Sequence, residues 1–476
     1  MDFIIILPPP SYDATKPVRS YFIPNSALYL AESLLHNSIS VSIIDEEVEE
    51  TLEEVGRLLA NNTIAFGIST LSGTQLKNAI IIAERLKNDY PDIPIIWGGA
   101  HINAVPRDTL ESDLVDFVCI GEAELSLPTL LNAIKNNDEN LDAINGIGYK
   151  KNGKCYLTDN TDFTSLDRVF NLPYHLLNVD KYARNLHHIG VKRLLSVLTS
   201  RGCPYRCKFC SNSSNLWPNT KMRYNTLDHI VNDIKTLVYK YSADAITLSD
   251  ENLFANEKRL IEIFSAIKKQ NFNVKYRLAG RVDRLSKLSD STWELLKETG
   301  VIGIGTGIES GSQRILDFIG KKITLEQIYK VDELLTKYKF YKSYNFMTCI
   351  PTETMSDVRL TLKLIANLAK TSKESPFPFT QLYKYIPLPN TELFDISIQH
   401  GLKFPKDING WKYFDLDNIK ESIQIVRPWL NGDMLEYVNR SNELIERLNG
   451  YYIGKDSDYE MIDKTIEEMN LFIGNN

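Results

Sequence analysis

The strongest constraint on this chain is a regular alternation of short apolar runs with longer amphipathic ones, and the pattern occurs twice. In the first series, residues 3–7, 41–44, 64–68, 95–97 and 115–120 are apolar runs of strand length. Between them, residues 27–35, 52–59, 76–86 and 125–134 carry helical periodicity. Runs that are apolar throughout suit strands buried on both faces, and intervening helices supply parallel crossovers. Residues 1–145 are therefore expected to form an α/β unit, a Rossmann-like doubly wound parallel sheet. Such sheets bind ligands beyond the carboxyl ends of their strands. Three of those ends carry small or polar residues: Ser69-Thr70-Leu71, Gly98-Gly99 and Gly121-Glu122. Glycine at such a place allows a positive φ or a close backbone approach.

The second series has apolar runs at 194–198, 245–248, 274–278, 301–305, 344–349 and 381–385. Helical patterns separate them; the clearest runs through Leu227, Ile230, Val231, Ile234, Leu237 and Val238, with Asn225 or Thr226 available as its cap. Six β/α units predict a (β/α)6 partial TIM barrel over residues 191–395, with chemistry at the strand carboxyl ends. Residues 146–190 read as a linker containing a hairpin signal at Lys151-Asn152-Gly153-Lys154. Residues 396–476 read as a helical region with an apolar stripe of Leu435, Val438, Leu444, Ile445 and Leu448. Its Trp411, Tyr413, Trp429, Tyr451 and Tyr452 suit either a lid over the barrel or plain packing.

Directly after the first barrel strand stands TSRGCPYRCKFCSNSS, with three residues between Cys203 and Cys207 and two between Cys207 and Cys210. Three thiolates can hold a four-iron cluster and leave the fourth iron open to a substrate. The same three can be part of a zinc site, which needs a fourth ligand. The nearest downstream histidine, His229, lies inside a helical pattern, and no further cysteine follows until Cys349.

Bulk properties narrow the class. With 43% hydrophobic and 24% charged residues the composition is that of an ordinary globular chain. A net charge of -7 offers no global field for nucleic acid. Six cysteines, three of them clustered, do not make a disulfide framework. No apolar stretch is long enough to span a bilayer, and the start lacks the basic segment of a leader, so a cytoplasmic address is expected.

Cys203, Cys207 and Cys210, with Phe209 just before the last, match the defining motif of the radical SAM superfamily. With a Rossmann-like domain ahead of the barrel, the chain resembles the cobalamin-binding radical SAM enzymes over roughly residues 1–395. Further carriers are ILPPP near the start, Ser69-Thr70-Leu71, Gly98-Gly99, Gly121-Glu122-Ala123-Glu124, Arg223, Asp250–Phe254, Arg281-Val282-Asp283 and Gly307–Ser312. The resemblance implies a [4Fe-4S] cluster on the three cysteines, S-adenosyl-L-methionine on its open iron, and cobalamin in residues 1–145. Cobalamin would lie on Ser69, Thr70, Leu71, Gly98, Gly99, Gly121 and Glu122. Asp250 would receive the methionine amine, Arg281 its carboxylate, and Glu309 with Ser310 the ribose hydroxyls. Phe209 would complete the cluster loop.

Two departures from the family pattern carry expectations of their own. Asp45-Glu46-Glu47-Val48 stands where methionine-synthase-like domains carry a cobalt-ligating histidine. Cobalamin would therefore bind without a histidine ligand, its lower face covered from residues 71–75, and His101 would sit as a polar residue near the corrin rim. Cys349 and Thr352 stand where relatives usually show glycine. Cys349 is accordingly a candidate catalytic hydrogen donor or, alternatively, a small buried hydrophobe. The function implied is methylation of an unactivated carbon, after a 5′-deoxyadenosyl radical removes hydrogen. The alternatives are a radical cyclisation, rearrangement or epimerisation without methyl transfer, and a non-catalytic corrin or metal sensor. Expected partners are a small-molecule or peptide substrate and an external electron donor such as flavodoxin or ferredoxin.

Overall fold

The structure is a computed structural model and describes residues 1–9, 22–159, 163–168, 170–186, 189–213, 221–371, 378–414, 420–453 and 459–475. Pro10 of the ILPPP string lies outside the described residues, and so do the side chains of Tyr451 and Tyr452.

The first series forms β1 (Phe3–Ile6), β2 (Val41–Ile44), β3 (Ala65–Ser69), β4 (Ile95–Gly98) and β5 (Phe117–Cys119), all parallel, in the order β2-β1-β3-β4-β5. Both faces are covered, which is why the strands are apolar throughout rather than alternating. Ile4, Ile6, Phe66, Ile68 and Trp97 pack on one side; Phe3, Ile5, Ala65 and Ile96 pack on the other. Chain order reverses at β1 and β3, and there a crevice opens at the carboxyl edge. The strands β6 (Ile147–Lys151) and β7 (Lys154–Leu157) extend this sheet antiparallel beyond β5. Asn152 and Gly153 supply the positive φ values, 52° and 70°, that a two-residue hairpin turn requires.

The second series forms a curled sheet. Its first two strands are β8 (Arg184–Leu186) and β9 (Val191–Val197). A short ribbon of β10 (Ser200–Arg201) and β11 (Arg223–Tyr224) follows, and its two strands enclose the cysteine loop. Then come β12 (Ala245–Leu248), β13 (Lys275–Gly280), β14 (Val301–Glu309), β15 (Tyr341–Thr348) and β16 (Pro378–Lys384). The order is β16-β15-β14-β13-β12-β9-β8; β9 and β12 to β16 are parallel, and β8 joins the edge antiparallel. The result is a partial barrel with helices outside. Helix Leu227–Tyr239 starts at Thr226, whose hydroxyl accepts from the His229 N–H. The other candidate cap, Asn225, instead donates to the Leu198 carbonyl and to the hydroxyl of Tyr29.

The two units are joined by buried polar contacts. Tyr29, on helix Asn25–His36, meets His229 Nε2 at 2.8 Å across the boundary. The C-terminal residues serve both units. Trp411 is wholly buried in the core of the first sheet and accepts at its carbonyl from Gly73 N–H, 3.2 Å. Trp429 donates to the Cys349 carbonyl at the barrel mouth, 3.1 Å. Helices Gly432–Ile453 and Tyr459–Asn475 continue the barrel's outer layer, with Val438, Leu444, Ile445 and Leu448 in the main core. Of the two readings of these aromatics, packing describes Trp411, which faces away from the barrel. Among the described residues no helix is long and apolar enough to cross a membrane.

Candidate active site

A cavity of about 600 Å³ lies at the carboxyl edge of the first sheet. Its near wall is the strand ends: Leu7, Pro8 and Pro9 after β1, Ser69 to Leu71 after β3, Gly98 and Gly99 after β4, and Gly121 to Glu124 after β5. The far wall is barrel: Leu198, Arg201 and Glu251. All seven residues expected on the cobalamin therefore line one space. Gly98 borders open volume, since a Cβ there would have nothing within 4 Å. Gly99 holds φ +98°, and a Cβ on it would come within 2.8 Å of the Thr70 backbone. The edge is thus shaped for a large flat group approaching the backbone closely, and a corrin fits it. Leu71, 52% exposed, projects from the loop expected to cover the lower face. His101 does not border the cavity; it is buried with its Nδ1 on Ser72 Oγ, 2.9 Å, and its ring edge-on to Trp411. Burial pulls its imidazole down to about 3. It supports the 71–75 loop from behind instead of sitting at a corrin rim.

The cysteine loop hangs between β10 and β11. Arg281 Nη1 donates to Cys207 Sγ at 3.2 Å, and Asn252 Nδ2 lies 3.7 Å from Cys203 Sγ. Donors aimed at sulfur favour thiolate. Burial first, then the charges of Cys207 and Cys203, pushes Cys210 up. A bound iron reverses that shift, because a coordinating thiol is deprotonated. Among the described residues no three His, Cys, Asp or Glu side chains converge on a single-ion position. A cube of four irons offers each thiolate its own corner, so this loop suits a cluster better than one zinc ion. Phe209, partly buried, packs with Ile315, Ile319, Met347 and Tyr385.

The remaining expected site residues are more occupied than their positions in the sequence suggest. Asp250 accepts from Thr199 N–H (2.6 Å), Ser200 Oγ (2.7 Å) and the Thr199 hydroxyl. It holds the entry to the cysteine loop, and burial pushes its carboxyl up. Its neighbour Glu251, unlike Asp250, borders the cavity, and it accepts from Gly202 N–H, 2.7 Å. Arg281 spends its other nitrogens on Asp283 (2.9 Å) and the Lys321 carbonyl (2.5 Å), and its guanidinium stacks 3.7 Å from the Tyr205 ring centroid. The geometry gives it a place beside cluster sulfur in preference to a free fork for a carboxylate. Glu309, at φ +71°, pairs with Lys321 Nζ at 2.7 Å. Gly307 leaves room for that pair, since a Cβ would meet Glu309 Oε1 at 2.5 Å. Ser310 is fully buried against Thr361 Oγ1, 3.1 Å, and cannot reach a ribose without rearrangement. Cys349 is likewise fully buried, and burial pushes its thiol up to about 12. That enclosure is what the small-hydrophobe reading expects, and the hydrogen-donor reading requires the thiol to become accessible to a reactant.

Sequence reasoning did not single out the clamp that aligns the two units. Glu122 faces Arg223, with Nη1 at 3.0 Å and Nη2 closer still, and Arg201 Nη1 at 3.0 Å. Arg201 also holds Glu124 at 2.8 Å. The arginines pull Glu122 below the usual carboxylate range against its burial. Because Arg201 and Arg223 are the β10–β11 ribbon, the base of the cysteine loop is tied to the strand end that borders the corrin cavity. Arg201 stands two residues before Cys203, which is the signal that was there to be read.

A three-thiol loop on a barrel strand end, adjoining through Arg201 and Glu251 a cavity edged by the glycines of the first sheet, defines an enzyme with an iron–sulfur and a corrin half. Comparison with known proteins agrees. Residues 14–131 match the B12 binding domain and residues 197–365 match the Radical SAM superfamily. An uncharacterized methyltransferase of Pyrococcus horikoshii is 29% identical over 424 residues, covering 88% of this chain and 87% of that protein. An anaerobic magnesium-protoporphyrin IX monomethyl ester cyclase of Rubrivivax gelatinosus is 26% identical over 340 residues, 68% of this chain and 59% of that protein. The solved structure of the cobalamin-dependent S-adenosylmethionine radical enzyme OxsB, with aqua-cobalamin and S-adenosylmethionine bound, superposes with TM-score 0.72 at 16% identity, over 100% of this chain and 72% of that one. The chain belongs to the cobalamin-binding radical SAM enzymes, a B12-binding domain followed by a radical SAM domain. A non-catalytic sensor is set aside.

Proposed function

We propose that the protein methylates an unactivated carbon of a small-molecule or peptide substrate. The observation that carries this is the single cavity whose one wall is the corrin-edge strand ends and whose other wall, at Arg201 and Glu251, adjoins the cysteine loop. When bound, the cluster and S-adenosylmethionine supply a 5′-deoxyadenosyl radical, and cobalamin supplies the methyl group. Cys203, Cys207 and Cys210 would hold the cluster, with Arg281 donating to Cys207 Sγ and Asn252 to Cys203 Sγ. Leu71, Pro8 and Pro9 line the cavity, where Leu71 would cover one face of the corrin and the prolines would keep water from its edge. The Glu122–Arg223–Arg201–Glu124 clamp sets the separation of the two halves. An external one-electron donor of the flavodoxin or ferredoxin class reduces the cluster, and a low-oxygen, reducing cytoplasm suits it.

Anaerobically reconstituted protein, supplied with reductant and S-adenosylmethionine, should release 5′-deoxyadenosine, and Cys203→Ala should abolish this while cobalamin stays bound. In the presence of substrate, S-adenosylhomocysteine and a product heavier by one CH₂ should appear together. The cyclase relative keeps a second reading in play, radical cyclisation or rearrangement. Deoxyadenosine formed with substrate present, but neither S-adenosylhomocysteine nor added mass, selects that reading and ends the first.

A further inference from the structure

The central strand of the barrel carries a charge that has no partner among the described residues. On β13, Tyr276 and Leu278 pack outward among the helices, so Lys275, Arg277 and Ala279 face the barrel interior. Arg281, just beyond the strand, keeps the same parity and reaches Cys207. Arg277 therefore sits four residues deeper, about 13 Å along the strand at its usual rise. The residues around it are small. Its cross-strand neighbours are Thr247 on β12 and Gly303 on β14, and one step toward the cluster the pair is Ala279 with Gly305. Ala279 is exposed although it lies on the middle strand of seven, so the interior above Arg277 is open.

No carboxylate or carbonyl pairs with Arg277 among the described residues. The charge that acts on it is another cation, Arg184 on the edge strand β8, which also lies within electrostatic reach of Tyr383 on the opposite edge strand β16. Burial, then the like charge of Arg184, pulls Arg277 down to about 10. A buried arginine facing a second cation is costly unless something negative joins it. Guanidinium matches carboxylate and phosphate oxygens in a two-point fork. By contrast the other interior basic residue, Lys275, is satisfied by the carbonyls of Ile189 and Gly190.

We propose that Arg277, with Arg184, is the specificity site of the barrel and seats an oxyanion of the substrate, a carboxylate or a phosphate, between the cluster and the barrel floor. The assignment of that anion to a substrate rests on the function proposed above; the anion site itself does not. The expected substrate is thus an anionic small molecule whose reacting carbon lies toward Arg281, several bonds from its anionic group.

The test uses the full chain and two probes, inorganic phosphate and acetate, in a chloride-free buffer. Either probe should raise the thermal midpoint of the wild-type protein, and the stronger of the two identifies the class. Arg277→Met should weaken that probe at least tenfold and should also raise the midpoint without it, because an unpaired buried charge has gone. Arg277→Lys should recover part of the binding. A structural arginine behaves oppositely: its loss lowers the midpoint and leaves any probe effect intact, and that result overturns the proposal. Neither probe acting on the wild type overturns it as well. Deoxyadenosine release by the wild type is scored separately, so failure of the reaction assignment and failure of the anion site are read on different measurements.

Discussion

Glu122→Gln perturbs the joint between the two halves while changing no volume. Glu122 is almost entirely enclosed, with 9% of its side chain exposed against 12% for Arg201 and 26% for Arg223. Its two oxygens accept three guanidinium contacts. The amide keeps one acceptor and turns an NH₂ toward a guanidinium, so at most two of the three contacts survive and the other becomes repulsive. Breaking a buried pair on one side costs about 3 to 5 kcal/mol. Part exposure of Arg223 places this case at the lower end, about 3 kcal/mol, which is roughly a hundredfold in the equilibrium between docked and separated halves. Amide hydrogen exchange reads it directly: protection should fall by that factor at Ser200–Arg201, Arg223–Tyr224 and the start of helix Ser126–Lys135, while β1 and β3 keep theirs. The pH dependence has a fixed sign. The folded pKa of Glu122 is lowered from 4.5, so its contribution is present above that value and is lost as pH falls below it. Exchange unchanged within threefold at pH 7 would refute the clamp as a determinant of domain spacing.

Three further outcomes follow from the same geometry. Gly99→Ala places a Cβ against Thr70 in a backbone conformation, φ +98° and ψ -174°, that only glycine adopts readily. At about 2 kcal/mol of strain, corrin retention should fall roughly thirtyfold, measured by the visible absorbance kept through gel filtration. Cys349→Ala should cost about 1 kcal/mol of stability and leave deoxyadenosine release per cluster within twofold; loss of turnover with a full cluster would return the thiol to the chemistry. Glu353, buried with one oxygen on Cys349 N–H at 2.6 Å and the other unpartnered, is pushed up to about 7 by desolvation. An acid with a raised folded pKa stabilises below its unfolded value and loses that contribution as pH rises through 7. Glu353→Gln should therefore gain on the wild type by up to about 3 kcal/mol in denaturant midpoints between pH 5 and pH 8.

Local pattern carries far in a chain of this kind. Each apolar run of four to six residues can only be a buried strand when helices flank it, and parallel crossovers then dictate which strand ends face the ligand. That is why the corrin edge, from Ser69 to Glu122, was legible as a line of strand ends, and why three cysteines at one spacing specified a cluster loop. Side-chain partners are a different matter, because they are chosen by how segments pack and not by local pattern. Asp250, Arg281 and Ser310 stood at plausible strand ends, yet their oxygens and nitrogens are taken by Thr199, Asp283 and Thr361. His101 looked like a rim residue until Trp411 came over it from the C-terminal region.

Alternation, turn glycines and cysteine spacing are short-range properties, so the order of the residues alone determined two β/α units, the edge where each binds, and the iron–sulfur loop. Which charges neutralise one another is settled only when the chain closes on itself. Tertiary structure decided that Glu122 meets Arg201 and Arg223 across the domain boundary, that Cys349 is sealed in, and that Arg277 meets no counter-charge among the described residues. The physical reason is range: periodicity is written within a turn or a strand, whereas the partner of a buried charge is chosen by packing.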